Sequence, residues 1–121
     1  VFADVSGFTP LVENLSRQGE RGPEEVQRVV NFCFGRLTAA VEEAGGDLLC
    51  FAGDAALALW PAESPAALGV AVQRAAQCAL AIQRRLDGSD LGGGHLLRLR
   101  IALGAGALQL ASLGGVDGRW Q

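Results

Sequence analysis

Two aspartates, Asp4 and Asp54, each stand alone inside an otherwise apolar run. The first lies in Val-Phe-Ala-Asp-Val and the second in Phe-Ala-Gly-Asp-Ala-Ala-Leu. An ionised carboxylate among apolar side chains is costly unless a cation, a hydrogen-bond donor or water meets it. Two such carboxylates, one of them followed by the glycine-containing segment at Gly7, predict a shared divalent metal site that takes a phosphate ligand.

Either aspartate alone has an ordinary structural explanation. Asp4 could cap the turn that follows it, and Asp54 could be a common residue at the tip of a hairpin. For one isolated aspartate we would prefer that explanation. The combination favours a functional site, because two unrelated turns would not need acids embedded among phenylalanine, alanine, leucine and tryptophan.

An all-oxygen set of ligands can be assembled around the two carboxylates. The main-chain carbonyl of Val5 lies one residue from Asp4 and is a natural further ligand, and Mg²⁺ or Mn²⁺ suits such a set. Two ions roughly 3.5–4 Å apart can activate an attacking oxygen and stabilise a leaving phosphate. Phosphate oxygens would accept hydrogen bonds from the nearby backbone amides, which are those of Ser6, Gly7, Phe8 and Thr9.

Short elements are expected to position both acids. Residues 1–5 predict a buried strand, followed by a turn and a short helix that Thr9 caps with Pro10 at its first position. Two apolar runs at 48–51 and 56–60 predict a hairpin with Asp54 at its tip. If these strands are neighbours, both carboxylates lie at one end of the sheet.

Two helices and a further pair of strands complete the predicted order β-α-α-β-β-α-β plus one strand. The first helix starts at Pro23 and ends at Gly45-Gly46, and the second starts at Ser64-Pro65 and ends at Asp87-Gly88. Strands are expected at 97–103 and 107–113. The order predicts an α+β fold, a mixed sheet with helices on one face. The core-facing residues are expected to be Val26, Val29, Val30, Cys33, Leu37, Ala40, Val41 and Ala44 in the first helix, and Leu68, Val72, Ala75, Ala79, Ile82 and Leu86 in the second.

Composition limits the classes of function. The chain has 121 residues, half of them apolar, and a formal net charge of −3 without basic blocks, which argues against a nucleic-acid-binding face. No uncharged apolar run reaches the roughly 18–20 residues that cross a bilayer, and no signal-peptide pattern is present, so a cytoplasmic domain is expected. Three cysteines without zinc-site spacing are expected to be reduced thiols packed as small apolar side chains; they are Cys33, Cys50 and Cys78.

Several segments match, in order, the motifs of one enzyme family. Residues 2–9 read Phe-Ala-Asp-Val-Ser-Gly-Phe-Thr, and residues 45–60 read Gly-Gly-Asp-Leu-Leu-Cys-Phe-Ala-Gly-Asp-Ala-Ala-Leu-Ala-Leu-Trp. The segments at 29–32 and 98–104 match as well. Together they resemble the catalytic domain of class III nucleotidyl cyclases, and most closely the first catalytic half of the soluble, bicarbonate-responsive adenylyl cyclases. The resemblance covers nearly the whole chain.

The resemblance implies one cyclase domain over residues 1–121, ferredoxin-like in fold and truncated at both ends. It implies that Asp4, Asp54 and the carbonyl of Val5 hold two Mg²⁺ or Mn²⁺ ions. The reaction would be attack of the ribose 3′-hydroxyl of ATP on its α-phosphorus, giving 3′,5′-cyclic AMP and pyrophosphate. Family active sites form between two such domains, so a second cyclase domain is the implied partner of this metal-supplying half. By itself the chain is expected to be inactive.

Position 50 departs from the family pattern. Many members that recognise the base have a lysine four residues before the second metal aspartate, where this chain has Cys50. A thiol cannot replace an ammonium as a charged donor to adenine, so the partner would have to select between ATP and GTP. In the soluble adenylyl cyclases the same lysine helps to hold bicarbonate. The alternative function is a noncatalytic cyclase-like domain that dimerises and binds nucleotide without turnover.

Two other families share fragments of these motifs. Gly45-Gly46-Asp47 is also the start of the diguanylate cyclase signature, which continues with Glu-Phe where this chain has Leu48-Leu49. Asp4-Val5-Ser6 is similar to the motif of phosphohydrolases with an aspartate nucleophile, but these have a second aspartate at the position of Ser6. Neither interpretation accounts for both Asp4 and Asp54.

Overall fold

The computed structural model describes residues 1–6, 13, 22–91, 96–110, 114–116 and 119–120. Its elements are β1 (Phe2–Ser6), α1 (Gly22–Glu43), β2 (Asp47–Ala52), β3 (Ala55–Leu59), α2 (Pro65–Leu86), β4 (Arg98–Ala102), β5 (Gly114–Val116) and β6 (Arg119–Trp120). The short helix predicted after Thr9 lies, apart from Glu13, outside the described residues.

Four strands form one sheet in the order β2-β3-β1-β4. α1 connects β1 to β2, and α2 connects β3 to β4; in both cases one other strand lies between the connected strands. This is the predicted ferredoxin-like α+β arrangement. The prediction of a mixed sheet is corrected, because every neighbouring pair among these strands is antiparallel. Strands joined by a helical crossover run in the same direction, but here they are not neighbours.

The core lies between one face of the sheet and the two helices. Most of the predicted stripe of α1 is confirmed, since Val29, Cys33, Leu37 and Val41 are buried. Val26, near the start of the helix, is half-buried and lies outside the core cluster. Partly buried side chains of the same stripe pack against this core; they are Val30, Ala40 and Ala44. The sheet contributes Ala3, Val5, Ala56, Ala58 and Leu99.

α2 begins as the sequence predicts. Ser64 is the N-cap, its side chain accepts a hydrogen bond of 3.1 Å from the Ala67 N–H, and Pro65 occupies the first turn. The buried residues of α2 are Ala71, Ala75, Cys78, Ala79, Ile82 and Leu86. Val72 was expected in this set and is instead 38% exposed, because the buried stripe runs through its neighbour Ala71.

Within the described residues, α2 is also the one helix long and apolar enough to cross a membrane by length and composition. This is weak evidence for a membrane span, because the core helix of a soluble protein passes the same test. Six residues of α2 are buried in the fold. Apolar side chains on its other side are exposed, among them Val70 at 51% and Leu80 at 56%.

The strand predicted at 107–113 is not found in its described part. Residues 107–110 form no strand, and Leu108 and Leu110 are 71% and 65% exposed. Residues 111–113 lie outside the described residues. Instead, β5 and β6 pair with each other as a separate two-stranded antiparallel sheet.

Candidate functional site

The structure brings Asp4 and Asp54 to neighbouring positions. β1 lies beside β3 with Asp4 directly opposite Ala55, the residue that follows Asp54. The next residue of β1 continues this contact, since the Val5 N–H donates a hydrogen bond of 2.9 Å to the main-chain oxygen of Asp54. Both aspartates therefore lie at the same end of the sheet, as the hairpin prediction requires.

Strand alternation places the Asp4 side chain on the face of the sheet opposite the helices. Ala3 and Val5 on either side of it are 4% and 2% exposed and belong to the core. Successive side chains of a strand point to opposite faces, so Asp4 cannot point into this core. It is half-buried, which leaves the carboxylate within reach of solvent and of a ligand.

Asp54 lies at the tip of the β2–β3 hairpin. The two strands are joined by Gly53 and Asp54, and Gly53 has φ +60°, a left-handed conformation that glycine adopts readily. The Asp54 side chain is half-buried. The hairpin prediction is therefore confirmed in both its strands and its tip.

The carbonyl of Val5 faces the same side as the Asp54 tip. In an extended strand the N–H and C=O groups of one residue point to the same neighbouring strand. Because the Val5 N–H reaches Asp54, its carbonyl is directed to that side as well. The Val5 carbonyl therefore lies beside the hairpin tip that carries Asp54.

These donors fit a magnesium-type ion that keeps part of its hydration shell. Mg²⁺ in phosphate-transfer sites is commonly held by one or two carboxylates, waters and the substrate phosphates. A dedicated cage of three or more histidine, cysteine, aspartate or glutamate side chains is absent from the described part of the chain. The donor set therefore suits ions shared with a phosphate substrate better than a fully protein-bound structural metal.

The proposed phosphate-binding amides fall mostly beyond what the structure describes. Ser6 is the last residue of β1, opposite Arg98 of β4. Gly7, Phe8 and Thr9 lie outside the described residues, and so does the helix start that was expected to follow them.

The three cysteines differ in their surroundings. Cys33 and Cys78 are buried free thiols, as predicted, and desolvation raises the pKa of both. Cys50 is exposed, which corrects the expectation that all three pack as small apolar side chains. It lies on β2 opposite Leu57, which in turn lies opposite Phe2, so Cys50 shares the open face of the sheet with Asp4.

Arg100 is a candidate site residue that sequence reasoning missed. It is exposed on β4, and β4 pairs with β1 so that Arg100 lies directly opposite Asp4. Directly opposite residues of antiparallel strands share one face. The alternation around Leu99 indicated the face of Arg100 in advance, whereas its neighbour on β1 depends on the register.

Two clefts border the helices, and the candidate site lies at neither of them. The clefts have volumes of about 190 and 440 Å³ and are lined by residues that include Arg36, Glu43 and Arg74. Neither cleft includes Asp4 or Asp54.

Comparison with known proteins agrees with the motifs. No protein-family model matches the chain. Adenylate cyclase type 10 of Rattus norvegicus is 32% identical over 116 residues, and the same protein of Homo sapiens is equally similar; the alignments cover 94% of this chain. The resemblance to a class III cyclase domain is confirmed.

Bacterial adenylate cyclase 1 of Rhizobium meliloti is also similar to this cyclase domain. It is 29% identical over 118 residues, again 94% of this chain. The chain spans about 7% of the length of the mammalian relatives and 16% of the bacterial one. The alignments alone therefore do not give this chain the activity of the complete relatives.

Proposed function

We propose that this domain is the metal-holding half of an adenylyl cyclase active site. The observation that carries the proposal is the juxtaposition of Asp4 and Asp54, fixed by the hydrogen bond from the Val5 N–H to the Asp54 oxygen. The adenylate cyclases that align with 94% of the chain favour this chemistry over other two-metal reactions.

In the proposed site, Asp4, Asp54 and the Val5 carbonyl hold two Mg²⁺ or Mn²⁺ ions. When bound, these ions would supply polarisation of the ribose 3′-hydroxyl and neutralisation of triphosphate charge. The protein fixes the two carboxylates on a paired strand and a hairpin, so that little reorganisation accompanies binding. The half-burial of both side chains leaves room for water and substrate oxygens.

The proposed reaction is cyclisation of ATP to 3′,5′-cyclic AMP and pyrophosphate. The ribose 3′-oxygen forms a bond to the α-phosphorus, the bond from that phosphorus to the oxygen bridging to the β-phosphate breaks, and the hydroxyl proton passes to water. Arg100 on the same face as Asp4 is suited to bind the triphosphate, because a guanidinium offers several donors to phosphate oxygens. The backbone amides of Ser6, Gly7, Phe8 and Thr9 would add further donors.

A second cyclase domain would supply recognition of the base and complete the site. Cys50 provides no charged donor, and Asp4 lies on an open face of the sheet. Apolar side chains on that face are partly exposed, among them Phe2 at 45% and Leu57 at 37%. We propose that the domain works in the cytoplasm as part of cyclic-nucleotide signalling.

Substitution of the metal aspartates tests the function. In the protein at its full natural length, Asp4→Ala and Asp54→Ala should each lower Mn²⁺-dependent cyclic AMP formation by more than about 100-fold, since changes in the outer shell of metal sites already cost about 10–100-fold. Asp47→Ala is the matched control, because Asp47 lies at the other end of β2, roughly 17 Å from its Ala52 end. Retention of activity in both variants would exclude the catalytic function.

The second candidate is a noncatalytic domain that binds nucleotide and pairs with a catalytic partner, which the thiol at position 50 favours. Calorimetry with ATP and Mn²⁺ on the complete protein distinguishes the two. Binding that depends on Asp4 but yields no cyclic AMP would support the noncatalytic function.

A further inference from the structure

The outer edge of β4 is held by two side chains from the end of α2. β4 is the last strand of the four-stranded sheet, and only one side of it pairs with β1. On the other side, the Leu99 N–H donates a hydrogen bond of 2.9 Å to Oδ1 of Asp87. The Gln83 Nε2 donates one of 3.0 Å to the Leu99 carbonyl.

Gln83 and Asp87 act together because they are one helical turn apart. Asp87 is the C-cap of α2, and its own N–H donates to the Gln83 carbonyl at 3.0 Å. Residues at i and i+4 lie on the same side of a helix. Their side chains thus bind both main-chain groups of one residue, Leu99, as a neighbouring strand would do. We call this pair the Leu99 clamp.

The connection after α2 supports the Leu99 clamp. The Gly88 N–H donates to the Leu97 carbonyl and the Leu97 N–H to the Ser89 carbonyl, both at 2.8 Å. Gly88 has φ +77°, a left-handed conformation that other residues rarely adopt. Leu97 and Leu99 are 0% and 4% exposed, so β4 is fixed on the core side as well.

The pairing of β4 with β1 links the position of Leu99 to the candidate site. Leu99 lies opposite Val5, and Arg100 lies opposite Asp4. Main-chain N–H and C=O groups alternate in direction from one residue of a strand to the next. Because those of Leu99 point away from β1, those of Arg100 point toward it. A shift of Leu99 along β1 would therefore displace Arg100 from Asp4.

We infer that Gln83 and Asp87 are positioning residues that hold Arg100 opposite Asp4 by clamping Leu99. The inference rests on the proposed function, because it assigns Arg100 to the triphosphate. The Leu99 clamp also occupies main-chain groups at an edge where another strand could pair. It does not contact substrate; its effect passes through β4.

Variants that remove one property at a time test the Leu99 clamp in the protein at its full natural length. Gln83→Glu keeps the shape but replaces the amide donor by an acceptor that repels the Leu99 carbonyl. Asp87→Ala removes the acceptor, whereas Asp87→Asn keeps an acceptor oxygen and loses only the charge facing Arg98. Gln73→Glu, an exposed position on the same helix, is the control for charge.

Gln83→Glu and Asp87→Ala should each lower kcat/KM for ATP by about 10-fold or more, since misplacement of about 1 Å can cost up to about 100-fold. Asp87→Asn and Gln73→Glu should remain near wild type. In an Arg100→Ala background the effect of Gln83→Glu should largely disappear, because the clamp acts through Arg100. A merely structural role would leave the same loss in both backgrounds.

These experiments distinguish a failure of the positioning role from a failure of the proposed function. If Asp87→Ala does not fold, Gln83→Glu and Asp87→Asn still provide the comparison. A wild-type rate for Gln83→Glu, or an equal loss with and without Arg100, overturns the positioning role even when Asp4→Ala abolishes activity. If Asp4→Ala and Asp54→Ala remain active, or the wild-type protein forms no cyclic AMP, the proposed function and this inference fall together.

Discussion

Asp4 and Asp54 become neighbours through main-chain pairing. One lies inside β1 and the other at a hairpin tip, and the hydrogen bond from Val5 to Asp54 joins the two segments. Each side chain is half-buried and so remains in contact with water. At the scale of residues, the proposed metal site is a pair of carboxylates carried by a paired strand and a hairpin.

Arg100 provides a test at this scale. Arg100→Ala should lower kcat/KM for ATP by roughly 10- to 150-fold, because a hydrogen bond to a charged group contributes about 1.5–3 kcal/mol. Arg98→Ala is the control, since Arg98 lies on the same strand and face but opposite Ser6, with Asp87 at 4.0 Å. Steady-state kinetics on both variants checks this, and equal losses would contradict a specific role for Arg100.

At the scale of elements, α1 and β2 meet at a tight junction. Gly45 has φ +72° at the end of α1, as the predicted left-handed cap requires. The Trp60 side chain packs over the next residue, Gly46. Its Nε1 donates a hydrogen bond of 3.1 Å to the Ala44 carbonyl. This contact fixes the start of β2 and thereby the hairpin that carries Asp54.

Replacement of Gly46 tests this junction. A Cβ atom at Gly46 would lie 2.5 Å from the Trp60 ring, so Gly46→Ala should destabilise the domain by about 1–3 kcal/mol. Gly69→Ala is the matched control, because nothing lies within 4 Å of a Cβ there and alanine is favoured in helices by about 1 kcal/mol. Urea denaturation should show opposite changes in the free energy of unfolding; a neutral Gly46→Ala would refute the contact.

At the scale of the whole molecule, α1 and α2 pack on one face of the sheet, and in the part of the chain that the structure describes no helix packs on the other. Cys33 of α1 and Cys78 of α2 lie in the single cluster of buried residues that joins both helices to the sheet. The Cys78 thiol donates a hydrogen bond of 3.3 Å to the Ala40 carbonyl on α1. These thiols report on the integrity of the core, whereas Cys50 on the open face does not.

The buried thiols predict a pH dependence of stability. Desolvation raises the pKa of Cys33 and Cys78 above the ordinary value of 9.0, so at higher pH the unfolded chain loses protons that the folded chain keeps. Unfolding therefore becomes easier as pH rises from about 9 through the raised pKa values, and these thiols cause no change well below pH 9. Urea denaturation between pH 7 and 10.5 should show this decline.

Cysteine variants identify the groups responsible. The double variant Cys33→Ala and Cys78→Ala should flatten the alkaline decline, whereas Cys50→Ser should leave it unchanged. An unaltered decline in the double variant would assign it to other groups.

The sequence alone determined the local features of this protein. The ends of both helices, the hairpin tip at Asp54 and the buried stripe of α1 depend on capping residues, glycines and apolar spacing within one segment. The resemblance to cyclases likewise depends only on which residues occur and in which order along the chain. Apart from Val26, all of these were correct where the structure describes them.

Only the tertiary structure decided which segments are neighbours. The antiparallel sheet, the absence of strand at 107–110, the exposure of Cys50 and the position of Arg100 opposite Asp4 depend on register and on packing between distant segments. Alternation in a sequence gives the face of a side chain, but it does not give the partner across the strand. For that reason the two aspartates of the proposed site could be named from the sequence, whereas Arg100 and the Leu99 clamp could not.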